Sequence, residues 1–319
     1  SNVKNVLESE DVKSTIKACK KLGVKIIKIQ KAEYNIYGKG LGSLTAKKNT
    51  LINFGNSGTL ARLLIGILST NPNTTLRLTG DHSLKKRNMK LLIDLMKKFG
   101  ASFVPKNKNK FPLKIISSNM PIGISYDAGV SAQLKSAVIF SGLNSYGTTT
   151  IREQSMSRDH TENFLKLNTK AIKIIKKKIK TIKVYGKKDL KPINFTVPGD
   201  PSSAAFFVAL TLLNKKLYIK IFNVGLNRTR FFDILKKQKA YIKFINIKKI
   251  NNEISGDIIV KTSRLKPFVV SSKLYPRTTD EYLILFVMAS LIKGVSVFKG
   301  ISDLANKESS RAYEMKKIL

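Results

Sequence analysis

Arginine is the residue to follow in this chain. Of 59 basic residues only ten are arginine; lysine fills the other positions. A guanidinium donates two parallel hydrogen bonds and suits carboxylate or phosphate better than an ammonium does. The arginines therefore mark places where that fork is needed. Arg62, Arg87, Arg158, Arg230 and Arg311 fall in or just after loops that open apolar segments, whereas Arg77, Arg152 and Arg264 lie elsewhere and read as structural. Two carboxylates hold similar positions. Asp280 opens one apolar segment, and Glu308 opens another, beside Lys307 and one turn before Arg311. A carboxylate held near cations can do acid–base work. N-capping accounts for the same placement.

The loops themselves are built to receive anions. Gly55-Asn56-Ser57-Gly58-Thr59, Ser131 with Gln133, and Ser202 with Ser203 place small and hydroxyl residues where helices begin. Helix N-termini offer outward N–H groups and a positive dipole end to phosphate or carboxylate. Capping explains any single opening. With Thr279-Asp280-Glu281, four in register with a repeat point further.

These openings belong to one grammar used four times: polar loop, apolar helix, strand, second loop, second helix, more strand. The first copy runs from Gly55 through a helix to about Leu68, a strand Thr74–Leu78 and a helix Leu84–Phe99. The second runs from Ser131 through a helix to Gly142, a strand Thr148–Arg152 and a helix opened by Ser157-Arg158-Asp159. The third has Gly199–Ser203, a helix to Leu213, a strand Leu217–Phe222 and a helix near Thr229–Lys236. The fourth has Thr279-Asp280-Glu281, a helix to Ile292, a strand Val295–Lys299 and a helix opened by Lys307-Glu308-Ser309. The period, roughly 70–80 residues, exceeds that of solenoid units and indicates subdomain-sized modules. Leu63, Leu64, Ile67 and Leu68 show helical spacing, and Thr148–Ile151 is β-branched. Alternating helices and strands make the chain α/β. A boundary is expected near Thr196–Pro198, giving domains 1–197 and 198–319.

Composition narrows the function classes. The 42% hydrophobic fraction belongs to a folded protein. The longest apolar runs, Ser202–Leu212 and Tyr282–Ile292, fall short of the ~18 residues that span a bilayer, so no membrane role is expected. Cys19 is alone and fits a reducing, cytoplasmic setting. With only His82 and His160 beside it, no metal site is expected. The net charge of +39 invites a nucleic-acid reading. The excess is almost all lysine, however, without aromatic interleaving, and Lys176–Lys180 reads as an exposed hairpin. No nucleic-acid partner is expected, although the charge can help attract a doubly anionic substrate. Ser1-Asn2-Val3 already lies inside a patterned segment, and Ala312–Leu319 stops within an apparent helix. A fragment of a longer chain, close to inactive alone, is expected.

Taken together, seven motifs in order resemble the 5-enolpyruvylshikimate-3-phosphate synthase family of enolpyruvyl transferases, especially the bacterial branch related to glyphosate-tolerant forms. They are Gly55–Leu63, Gly80–Arg87, Ser131–Ala137, Ser157–Glu162, Val197–Phe206, Asp280-Glu281-Tyr282, and Lys307-Glu308-Ser309 with Arg311. The resemblance implies a two-domain fold of repeated βαβαββ units. It implies transfer of the enolpyruvyl group of phosphoenolpyruvate to the 5-hydroxyl of shikimate 3-phosphate, releasing phosphate, with no cofactor. By position it assigns Ser131, the Ala132 backbone, Arg158 and Lys307 to shikimate 3-phosphate. Gly58, Arg87, Gln133 and Arg311 are assigned to phosphoenolpyruvate. Asp280 would take the proton of the attacking hydroxyl, and Glu308 would serve the methylene carbon. Some tolerant relatives carry alanine at Gly58, where a methyl would crowd glyphosate.

The chain also departs from the family pattern. The Pro-Gly-Asp-Lys-Ser and C-terminal Asp-His-Arg motifs are absent, Asn88 and Lys239 replace a usual proline and glycine, and Arg277 stands just before Asp280. The related transferase acting on UDP-N-acetylglucosamine commonly uses a loop cysteine, and Cys19 is in no matching context. The alternative of another class is an RNA-binding or RNA-end-processing protein of a related repeated fold. A monomer is expected.

Overall fold

The computed structural model describes residues 1–154, 157–167, 170–306 and 310–319. The chain divides into two units, Ser1–Val197 and Pro198–Leu319.

The first unit opens with β1 (Asn2–Lys4), α1 (Glu10–Lys21), β2 (Lys25–Gln30) and β3 (Glu33–Tyr37). Two copies of one module follow. The first is β4 (Leu51–Asn53), α2 (Gly58–Thr70), β5 (Thr75–Thr79), α3 (His82–Lys86), α4 (Lys90–Lys98), β6 (Ser102–Val104) and β7 (Leu113–Ile116). The second is β8 (Ser125–Ala128), α5 (Ala132–Asn144), β9 (Thr148–Glu153), α6 (His160–Lys166), β10 (Ile172–Lys176) and β11 (Lys180–Tyr185). The sheet orders β4-β5-β7-β6 and β8-β9-β11-β10 are the same, with a parallel first pair closed by the α2 or α5 crossover. Strand β12 (Phe195–Thr196) returns parallel to β1 in the third sheet, β12-β1-β3-β2.

Helices α2 and α5 form the centre of this unit. Gly66 lets them touch: a Cβ there would lie 2.6 Å from the Ala137 carbonyl oxygen. Ser141 Oγ donates to Gly66 O at 2.8 Å, and Asn144 Nδ2 donates to Thr70 O. At the other end Gln133 Nε2 donates to Thr59 Oγ1 at 2.7 Å. The sequence offsets of these three contacts are 75, 74 and 74 residues. So constant an offset means equivalent turns lie side by side, and the two helices run parallel. Their N-termini therefore share one end. Leu60, Leu64, Leu68, Val138, Ile139 and Ile151 are among the residues buried around them.

The second unit repeats the module with α7 (Pro201–Leu213), β13 (Tyr218–Gly225), α8 (Arg230–Lys237), β14 (Tyr241–Ile250) and β15 (Glu253–Lys261). Its sheet order β13-β15-β14 matches, and the Gly199–Val224 bridge stands where the first strand would pair. After it come β16 (Val269–Val270), α9 (Tyr275–Thr278), α10 (Tyr282–Ser290), β17 (Val297–Phe298) and α11 (Arg311–Ile318). Val208, Phe232, Leu235, Val260, Phe268, Tyr282 and Leu285 are buried in its core.

Two expectations need correction. The helix predicted over Leu84–Phe99 is broken at Arg87-Asn88-Met89 into α3 and α4. Arg87 is extended (ψ 137°), and the Asn88 side chain accepts from the Lys90 N–H at 2.8 Å, an Asx turn that starts a new helix instead of prolonging the old one. The Lys176–Lys180 hairpin joins β10 to β11, but Lys180 is buried. Its charge is taken up by two glutamates, which a hairpin read from lysine density alone does not reveal.

Candidate active site

At the shared N-terminal end of α2 and α5, two helix dipoles present their positive poles together. Each helix is capped by its preceding serine: Ser57 Oγ accepts from Leu60 N at 3.1 Å, and Ser131 Oγ from Leu134 N at 3.4 Å. Gly55 turns the preceding loop with φ +57°, a conformation glycine adopts freely. The loop presents Asn56, whose Oδ1 accepts from Arg87 Nη2 at 2.9 Å. The break between α3 and α4 puts Arg87 within reach. Arg62, one turn into α2, donates from Nη1 to Gly58 O at 3.1 Å and to Gln133 Oε1 at 2.9 Å. Gly58, Arg87 and Gln133 thus come together, joined by Thr59 and by Arg62, which the resemblance did not assign. Both guanidiniums lie over the Gly58 α-carbon: a Cβ there would meet Arg87 Nη1 at 2.5 Å and Arg62 Nη1 at 2.8 Å.

Ser131 and Ala132 begin α5 beside this group. Arg158 is half-buried, two residues before α6, and its neighbour Ser157 donates both N–H and Oγ to Glu153. The openings of α5 and α6 are tied by a 2.8 Å contact between Ser136 Oγ and Thr161 Oγ1.

The second unit holds its own charged cluster. Asp280 precedes α10, with Arg228 Nη2 at 3.7 Å and Arg311 Nη1 also at 3.7 Å. Arg228 is the hub. It reaches Glu281 Oε1 at 2.8 Å, Ser202 Oγ at 2.6 Å and Asp200 Oδ1 at 3.7 Å. Asp280 and Arg311 are therefore neighbours. Lys307 and Glu308 lie outside the described residues.

Two readings of the loops change on this geometry. The opening of α7 is not free for an anion, because the Asp200 carboxylate takes the N–H groups of Ser202 and Ser203 at 3.1 and 2.9 Å. Arg230 pairs with Asp233 on the surface at 3.2 Å, while Arg228, two residues earlier, is the arginine that enters the cluster. Of the two carboxylates before α10, Glu281 is buried and Asp280 is not. Among the described residues, no group of three or more His, Cys, Asp or Glu could hold a metal, and no helix is long and apolar enough to cross a membrane.

Comparison with known proteins gives the same direction over the whole chain. The family model for EPSP synthase (3-phosphoshikimate 1-carboxyvinyltransferase) matches residues 1–319. This chain belongs to the EPSP synthase family. It is 40% identical over 319 residues to the 3-phosphoshikimate 1-carboxyvinyltransferase of Thermodesulfovibrio yellowstonii, covering 99% of this chain and 73% of that one. It is 37% identical to the Zymomonas mobilis protein of the same name over 315 residues, 98% of this chain and 69% of the relative. The solved EPSP synthase of Acinetobacter baumannii superposes with a TM-score of 0.84 at 33% identity, over 99% of this chain and 71% of that one. The family's two-domain α/β fold of repeated units is the one described above. The RNA-end-processing alternative has no support from any of these matches.

Proposed function

We propose that the protein transfers the enolpyruvyl group of phosphoenolpyruvate to the 5-hydroxyl of shikimate 3-phosphate, with release of phosphate. This is the EPSP synthase step of the shikimate pathway, which leads to the aromatic amino acids. The observation that carries the reading in this chain is the common end of α2 and α5. Two helix N-termini, Arg62, Arg87 and Gln133 converge there on a glycine. Such a place suits a small, multiply anionic acid such as phosphoenolpyruvate.

In this reading residues 1–197 form the shikimate-phosphate-binding domain and 198–319 the second domain. Ser131, the Ala132 backbone, Arg158 and Lys307 hold shikimate 3-phosphate. Gly58, Arg87 and Gln133 bind phosphoenolpyruvate, and Arg311 grips its carboxylate. Asp280 accepts the proton of the 5-hydroxyl as its oxygen bonds to C2 of phosphoenolpyruvate. Glu308 gives a proton to the methylene carbon, completing a tetrahedral intermediate. It then takes a proton back from the resulting methyl as the C–O bond to phosphate breaks. Holding both reactants among fixed cations supplies orientation and charge stabilisation, with no cofactor. The enzyme works as a monomer in the cytoplasm, a setting that the single Cys19 suits.

Phosphate release dependent on both substrates, assayed in a protein of the relatives' full length, tests the proposal, since this chain spans 69–73% of theirs. Asp280→Asn should lower kcat by about 10²–10⁴, the range for loss of a general base. Release indifferent to shikimate 3-phosphate sinks it.

A further inference from the structure

The first unit buries four charges that the substrate roles do not use. Lys135, Glu153, Glu162 and Lys180 are 0%, 1%, 0% and 8% exposed. Lys135 Nζ lies 2.9 Å from Glu153 Oε1 and 2.8 Å from Glu162 Oε1. Lys180 Nζ lies 2.9 Å from Glu153 Oε2 and 3.1 Å from Glu162 Oε1. Cations and anions alternate in a closed ring with no net charge. Its members come from four elements: α5, the last residue of β9, α6 and the first residue of β11.

Stability is a weak reason for such a ring. Desolvating each ion costs several kcal/mol, and well-packed apolar residues of similar volume often serve as well or better. Charged hydrogen bonds do something apolar packing does not: they fix direction and distance. What this ring fixes is informative. Lys135 sits one turn beyond Ser131 and Ala132. Glu153 Oε1 also accepts from Ser157 N at 2.7 Å and from Ser157 Oγ at 2.6 Å, and Ser157 immediately precedes Arg158.

We propose that Lys135 and Glu153 are positioning residues for substrate: through their ring, the opening of α5 and Arg158 are held at the spacing that lets both grip one shikimate phosphate group. This rests on the assignment of Ser131, Ala132 and Arg158 to that phosphate. Neither ring residue touches substrate. They act by locking the backbone that does.

The test is calorimetric titration with shikimate 3-phosphate, together with steady-state kinetics and melting curves. In the charge-balanced variant Lys135→Met/Glu162→Leu, the Lys180–Glu153 pair and its Ser157 bonds remain, as does the Ser136–Thr161 contact, but the ring's own link to α5 is gone. A positioning role predicts a shikimate 3-phosphate Kd and KM raised about tenfold or more, since small misplacements of binding groups are costly. The KM for phosphoenolpyruvate should change much less. A purely structural role predicts a lower melting temperature and fewer competent molecules with Kd unchanged, and that result overturns the inference. Should the double variant fail to fold, Ser157→Ala decides: it removes one bond to Glu153 and should still weaken shikimate 3-phosphate binding severalfold, an unchanged Kd overturning the inference. Arg158→Gln separates the two layers. If it leaves binding intact, the site assignment fails; if it weakens binding while the ring variants do not, only the positioning role fails.

Discussion

Arg228 divides one guanidinium nitrogen between two carboxylates: Nη2 lies 2.8 Å from Glu281 Oε1 and 3.7 Å from Asp280 Oδ2. Glu281 is 3% exposed and structural, while Asp280 is the proposed base at the surface of the same cluster. Removing Arg228 has two separable consequences. Arg228→Met leaves Glu281 buried without its cation, which should cost about 3–5 kcal/mol. Adding Glu281→Met should return most of that stability by removing the stranded charge. It should not return kcat, because Asp280 has still lost Arg228, one of its two arginine neighbours. Urea melts and steady-state rates on both variants check this, and full recovery of kcat in the double variant would show that Arg228 matters to Asp280 only through folding.

Gly58→Ala should act on phosphoenolpyruvate. The new methyl would stand 2.5 Å from Arg87 Nη1 and 2.8 Å from Arg62 Nη1, so both guanidiniums must swing aside. Because they are the far ends of flexible side chains, the fold should tolerate the change. The KM for phosphoenolpyruvate should rise about tenfold through lost orientation, with shikimate 3-phosphate binding little altered. Glyphosate inhibition should weaken as well. Unchanged KM and inhibition would mean that Arg87 is not aimed at this ligand.

The repeat, the helix openings and the scarcity of arginine were all legible in the sequence, because each rests on local chemistry: capping serines, a glycine turn, apolar spacing. The parallel pairing of α2 with α5, at an offset of 74 between Thr59 and Gln133, agrees with the period of roughly 70–80 residues but is seen only in the fold. Three more features were not legible. Lys135 and Lys180 look like surface lysines until four elements close around them. Arg228 and Arg230 are indistinguishable along the chain, and the fold alone turns one inward and leaves the other against Asp233. The break after α3 depends on Asn88 competing for a backbone N–H, a choice that helix propensity does not settle.

Lys239 should be replaceable with profit. It follows α8 with φ +69°, and the turn is a Schellman motif: Ala240 N donates to Leu235 O at 3.1 Å, and Lys239 N to Lys236 O at 3.0 Å. A left-handed residue with a Cβ is strained in this position, where glycine is the usual occupant. Lys239→Gly should stabilise the protein by about 1 kcal/mol, read as a higher melting temperature at unchanged kcat. A fall in melting temperature would mean that the lysine side chain contributes more than its backbone costs.

Acid stability should report on the buried ring. Burial works against the Glu153 charge, but Ser157, Lys135 and Lys180 outweigh it and lower its carboxyl from 4.5 to about 2. Between those values the unfolded chain binds more protons than the folded one, so stability falls as pH falls. The contribution of Glu153 is complete above pH 4.5 and is lost as pH falls towards about 2. Glu8 titrates in the same window, lowered to about 2 first by the Lys28 bond and then by the Tyr34 bond, and provides the control. Glu153→Gln should be less stable than the parent at neutral pH, with a melting temperature that declines less steeply below pH 4.5. Glu8→Gln should remove only its own share of the slope. If Glu153→Gln melts with the parent's full pH dependence, the ring carboxylate is not ionised in the folded protein and cannot hold Ser157 as a charged acceptor.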